Sequence, residues 1–206
     1  PAEKYLDIFK GRTEQIVGEK TPAYFHMSDE RIRIMKSIIP DAKLILLLRD
    51  PIDRGWSHAR MEVSNYGQRD LSRTDVWRLV AHLANARNRM RSNYAKSIKR
   101  WLKHYNRDQL MIAYYDDLLE DADSLYEGIC SFIGAKPGDE RKLLTKKVWA
   151  SRTYQMPLVV KQYLFRKYTS TCDELKDLDI IVPVKWNEVR HERPRKSNFI
   201  SKYLIL

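Results

Sequence analysis

At 206 residues, against about 150 per domain, the chain has room for one compact domain or two small ones. Hydrophobic residues at 43%, charged residues at 32%, and only 7 Gly and 8 Pro exclude a disordered, collagen-like or low-complexity chain. The 38 Lys and Arg outweigh 27 Asp and Glu to give +11, which favours polyanionic partners such as nucleic acid, acidic glycans, anionic membrane or a charged nucleotide.

The chain opens Pro1-Ala2-Glu3 inside a helical pattern, and an upstream segment is expected. Gln15-Ile16-Val17-Gly18 reads as a short strand stopped by Thr21-Pro22. Over Asp29–Ile39, apolar residues at 32, 34, 35, 38 and 39 follow a helical spacing that Pro40-Asp41 breaks. The aliphatic run Leu44–Leu48, closed by Arg49-Asp50-Pro51, suits a strand buried on both faces in a parallel sheet. Strand, helix and strand in this order make a right-handed βαβ unit.

Ile52–Val63 then reads as a helix with Pro51 at its first position, where the missing N–H costs nothing. Residues 64–73 are loop-like. Helices are expected over Thr74–Arg91 and Tyr94–Tyr105, a strand over Leu110–Tyr115, and helices over Asp121–Ile133 and Asp139–Lys146. A basic stretch, Lys146–Tyr154, precedes a long helix from Pro157 towards Leu175. The expected architecture is α/β, three-layered, with a single domain over residues 1–186 and an irregular tail over 187–206. The longest apolar run is far short of the ~20 residues that a membrane helix needs. Cys130 and Cys172 cannot make a disulfide framework, and Cys130 lies in an apolar helical stretch, as packing. The five His residues show no paired spacing, so no metal site is expected.

Chemistry concentrates in two segments. In an open parallel sheet, ligands bind beyond the carboxyl ends of the strands. Arg49 is the first polar residue after a buried strand, and Ser57 lies about a turn and a half into the next helix. The two could converge on one phosphate, Arg49 by a bidentate charge-assisted contact and Ser57 as a second donor. The structural alternative is that Arg49 pairs with Asp50 or Asp53 in the turn. Gly18-Glu19-Lys20-Thr21-Pro22 places a carboxylate, an ammonium and a hydroxyl at the same sheet edge. Lys20 could neutralise charge on a transferring anionic group and Glu19 could accept a proton, or the two form a surface pair worth little. Gly11 and Gly18-Glu19-Lys20-Thr21 do not make a Walker A loop, since six residues separate the glycines and Glu19 intervenes.

Taken together, GEKTPAYF, LILLLRDPIDRGWSHAR and NYAKSIKRWLKHY resemble the sulfotransferase family, closest to its heparan-sulfate-type branch and bacterial relatives. The similarity extends through Gln109–Gly134 to Met156-Pro157 and Trp186. The resemblance implies a P-loop-like α/β fold with a central parallel sheet, using 3′-phosphoadenosine 5′-phosphosulfate as donor and no metal. It implies that Arg49 and Ser57 grip the donor's 3′-phosphate and that Lys20 lies beside the transferring sulfuryl group. Arg152, within Ser151-Arg152-Thr153-Tyr154, matches the Arg of a late loop that closes over the donor phosphates, with Ala150 where the family has Lys; Lys146 or Lys147 could compensate. The family's Gly-rich 5′-phosphosulfate loop and usual glutamate base precede the first block and are absent from this sequence.

The implied function is sulfuryl transfer to a hydroxyl or amine, with a carbohydrate as the expected acceptor and nucleic acid not expected. The alternatives are a non-catalytic basic module binding nucleic acid or anionic glycan, and an ATP-dependent kinase. The expected compartment is a bacterial cytoplasm, with the Golgi lumen as the alternative for an animal-type enzyme.

Overall fold

A computed structural model describes residues 2–13, 16–63, 76–85, 92–138 and 154–186. The chain divides into two compact units, Pro1–Leu48 with Lys96–Val148, and Arg49–Ala95 with Trp149–Leu206.

In the first unit, helix α1 (Ala2–Leu6) precedes a 3-10 turn over Pro22–His26 and helix α2 (Asp29–Ile38). Ser28 starts α2 by accepting a hydrogen bond from the Arg31 amide at 3.4 Å, and Asp29 and Glu30 place negative charge in its first turn. Strands β1 (Leu44–Leu48) and β2 (Leu110–Tyr114) pair in parallel, Leu44 opposite Leu110 and Leu48 opposite Tyr114. The turns that launch the two strands are tied together. The Gln109 amide nitrogen donates to the carbonyls of Pro40 at 2.8 Å and Ala42 at 3.3 Å, while Lys36 donates to the Gln109 side-chain oxygen at 2.9 Å. These bonds fix the register, because Gln109 is buried and its amide has to be satisfied within the protein. Ile32, Trp101 and Tyr105 form a core against which Tyr24, Met27, Met35 and Leu44 pack.

Helices α3 (Pro51–Val63), α4 (Val76–Ala84) and α8 (Leu158–Tyr168) build the second unit. Along α3, Ile52, Trp56, Ala59 and Val63 recur at helical spacing and meet Leu79, Leu83, Val160, Leu164 and Tyr168. Gly55 permits the close approach of α8: a Cβ there would stand 2.9 Å from a Leu164 methyl. In chain order, α5 (Tyr94–Trp101) precedes β2, α6 (Tyr115–Glu120) and α7 (Ala122–Ile133) follow it, and α9 (Thr171–Lys176) follows α8. Asp121 caps α7, and Gly134 closes it in the left-handed conformation, φ 75°.

Four expectations are corrected. Residues 16–20 form no strand; Ile16 and Val17 are exposed, and two adjacent apolar residues give no alternation that would select a sheet face. Strand β1 is covered on one side, since Leu48 is buried while Ile45 and Leu47 are 43% and 48% exposed. An all-aliphatic run looks the same whether one face or both are covered. The helix begun at Tyr94 ends at Trp101 rather than Tyr105. The long helix expected after Pro157 is two helices. Thr169 donates its hydroxyl to the Phe165 carbonyl at 2.6 Å and Ser170 to Glu174 at 2.6 Å, and such local bonds compete with a continuing helix. The loop at 64–73, the helix at Asp139–Lys146, the ends of the helix at Thr74–Arg91 and the tail at 187–206 lie outside the described residues.

Candidate functional site

The segment after β1 is shaped by capping. Asp50 is buried, and one of its oxygens accepts from the amides of Ile52 at 2.7 Å and Asp53 at 3.1 Å, with Pro51 between them at the first helical position. One buried carboxylate thus satisfies two of the orphan amides that open α3. The role the structure shows for Asp50 is therefore the cap of α3. Arg49 and Ser57 are both half-buried, Arg49 just before the capped turn and Ser57 along α3.

Two features of this segment were not legible beforehand. The Tyr94 hydroxyl donates to the main-chain carbonyl of Arg49 at 2.7 Å, and Tyr94 is only 3% exposed. Burial pushes its phenol well above the ordinary tyrosine range. The Arg54 guanidinium donates from Nε to the buried Ser92 hydroxyl at 2.7 Å, with a second contact from the same group. Further along α3, Arg60 lies over the Trp56 ring, 5.6 Å from its centroid. Its guanidinium holds its proton less tightly than usual, first through burial and then through repulsion by Arg49. The Asp53 carboxylate acts in the opposite sense and supports the charged form. Arg60 is one helical turn past Ser57, and the spacing of 49, 57 and 60 is the signal that could have found it.

The second segment belongs to the other unit. Gly18, Glu19 and Lys20 are exposed. Glu19 gathers hydroxyls: one oxygen accepts from Tyr24 at 3.0 Å and the other from Thr21 at 3.1 Å. The Tyr5 phenol, raised first by burial and then by hydrogen bonding to Glu19, lies against the same carboxylate. The expected Glu19–Lys20 surface pair is thus replaced by a carboxylate tethered to hydroxyls, while Lys20 has no hydrogen-bond or ion-pair partner among the described residues. Ser151 and Arg152, together with Lys146, Lys147 and Ala150, lie outside the described residues.

Among the described residues no three His, Cys, Asp or Glu side chains stand together as metal ligands, and no helix is long and apolar enough to cross a membrane. Cys130 and Cys172 are buried free thiols. His58 and His82 stack with ring nitrogens 3.3 Å apart, and Glu62 approaches His58 at 4.0 Å.

The family described as "Sulfotransferase domain" matches residues 12–166. Mouse bifunctional heparan sulfate N-deacetylase/N-sulfotransferase 4 is 29% identical over 147 residues, which is 66% of this chain and 17% of the mouse protein. Mouse heparan sulfate glucosamine 3-O-sulfotransferase 3A1 is 27% identical over 170 residues, 76% of this chain and 40% of that protein. The chain therefore spans well under half the length of either relative. The crystal structure of a sulfotransferase from Alicyclobacillus acidocaldarius superposes with a TM-score of 0.66 at 21% identity, covering 90% of this chain and 73% of that one. That likeness carries the expected α/β fold, with its parallel sheet. With three quarters of its length matched, the chain belongs to the sulfotransferase domain family.

Proposed function

We propose that the protein transfers a sulfuryl group from 3′-phosphoadenosine 5′-phosphosulfate to a hydroxyl or amine of a carbohydrate. The observation that carries the donor side is the Arg49–Arg60 segment, where a capped helix start presents Arg49 and Ser57, and Arg60 adds a second positive charge. Two cations and a hydroxyl are a donor set that suits a dianionic phosphate. The acceptor class is drawn from the glycan-modifying relatives, both of which carry heparan sulfate in their names.

The chemistry is an in-line displacement. A lone pair of the acceptor oxygen or nitrogen forms a bond to sulfur while the bond from sulfur to the bridging phosphate oxygen breaks. Adenosine 3′,5′-bisphosphate leaves with that electron pair, and the acceptor's proton passes to a base. Positioning and charge stabilisation dominate such a step, as in phosphoryl transfer. Lys20 would offset charge at the transferring group, and Glu19, held in place by Tyr24 and Thr21, would take the proton. Arg152 and Ser151 would close over the donor phosphates. The setting in this reading is a bacterial cytoplasm.

Calorimetric titration tests it. Adenosine 3′,5′-bisphosphate should bind more tightly than ADP, and Arg49→Ala should weaken the bisphosphate by about 10- to 100-fold, the range for hydrogen bonds to a charged group. Equal binding of the two nucleotides would remove the donor assignment. Tight nucleic-acid binding with a steep salt dependence would point instead to a basic binding module.

A further inference from the structure

We propose that Tyr94 and Ser92 are positioning residues for the donor's 3′-phosphate, acting from behind Arg49 and α3. This rests on the donor reading above. The Tyr94 hydroxyl grips the Arg49 carbonyl at 2.7 Å, and that bond fixes the peptide from which the Arg49 side chain departs. Two residues earlier in the chain, Ser92 is 1% exposed and accepts from the Arg54 guanidinium at 2.7 Å in the first turn of α3. One short stretch, 92–94, therefore holds both sides of the Asp50 cap: the residue before it through the main chain, and the helix after it through a side chain. All these residues lie in the second unit.

The arrangement does more than fill space. A phenylalanine would occupy the Tyr94 site equally well, yet the hydroxyl is present and directed at the carbonyl of Arg49 itself. The side chains of Tyr94 and Ser92 are both turned inward and need not touch the nucleotide. Their effect on binding would pass through the placement of Arg49 and of α3, and hence through the phosphate that Arg49 meets. Nucleotides that lack a 3′-phosphate would not register the loss.

The experiment titrates adenosine 3′,5′-bisphosphate and ADP into the wild type, Tyr94→Phe, Ser92→Ala, Arg49→Ala and the Tyr94→Phe/Arg49→Ala double variant. Tyr94→Phe is expected to weaken the bisphosphate about tenfold while ADP affinity stays unchanged, since the Arg49 carbonyl loses its donor. Ser92→Ala is expected to cause a smaller loss with the same selectivity, and it carries the test if Tyr94→Phe fails to fold. In the double variant, the loss should be no greater than in Arg49→Ala alone, because both substitutions act through one contact. An equal drop for both nucleotides, or additive losses in the double variant, would reduce Tyr94 to a packing residue and overturn the proposal. Arg49→Ala without effect on the bisphosphate would overturn the donor reading itself; Arg49→Ala effective with Tyr94→Phe and Ser92→Ala silent would overturn only the positioning role.

Discussion

The segment from Arg49 to Arg60 and the segment from Gly18 to Pro22 are assigned to the same reaction, and they are built in opposite ways. The first stands on a buried carboxylate cap, a buried phenol and a helix whose inner face lies in a core of nine buried residues. The second is exposed at Gly18, Glu19, Lys20 and Pro22, and is tethered through hydroxyls that hydrogen-bond to Glu19, among them those of Thr21 and Tyr24. A site that must hold a phosphate through every turnover gains from being fixed in advance, since no ordering cost is then left for the binding step. A lysine that meets charge only as it develops can sit on backbone that yields more easily. On the proposed reading, binding falls to the first segment and turnover to the second.

Lys20→Ala gives the largest test of that division. Loss of one charge-stabilising group should slow transfer about a hundredfold, while calorimetry shows bisphosphate affinity close to wild type. An affinity loss as large as that of Arg49→Ala would erase the distinction. Asp50→Ala probes the rigid side. It strips two amides of their acceptor and should cost about 2 kcal/mol in urea unfolding, the upper end for a helix cap because the carboxylate is buried. A cost near zero would mean that α3 does not depend on its cap.

The smallest effect concerns pH. Burial raises the Tyr94 phenol above its unfolded value of about 10, so its neutral form is favoured in the folded chain. The stabilisation is complete below about pH 10 and is lost as pH climbs towards the folded value. Urea midpoints at pH 9 and pH 11 should therefore fall more in the wild type than in Tyr94→Phe. Parallel falls in both would show that the phenol ionises as freely folded as unfolded.

Much of this was legible from spacing. Leu44–Leu48 is a strand, Pro51–Val63 a helix opened by its proline, and the second strand begins at Leu110, because each is decided by local pattern and a nearby breaker. The hydroxyl on Arg49 comes from 45 residues away and the one on Arg54 from 38, and no local period encodes such pairs. Glu19 could be read as a base or as a partner of Lys20; only the fold brings Tyr24 round to it through the 3-10 turn at Pro22. The strand expected from residue 15 is not formed over the described residues 16–18, for want of a pattern longer than two apolar residues.

Strand β1 also bears on how the protein behaves in concentrated solution. Five uncharged aliphatic residues with two of them facing outward are the kind of stretch along which chains stick to one another. Lys43 stands immediately before it and Arg49-Asp50 immediately after, so charge guards both ends of the sticky stretch. Arg49 thus guards solubility beside the ligand role proposed for it, and replacing it with lysine would preserve the guard while removing the forked grip.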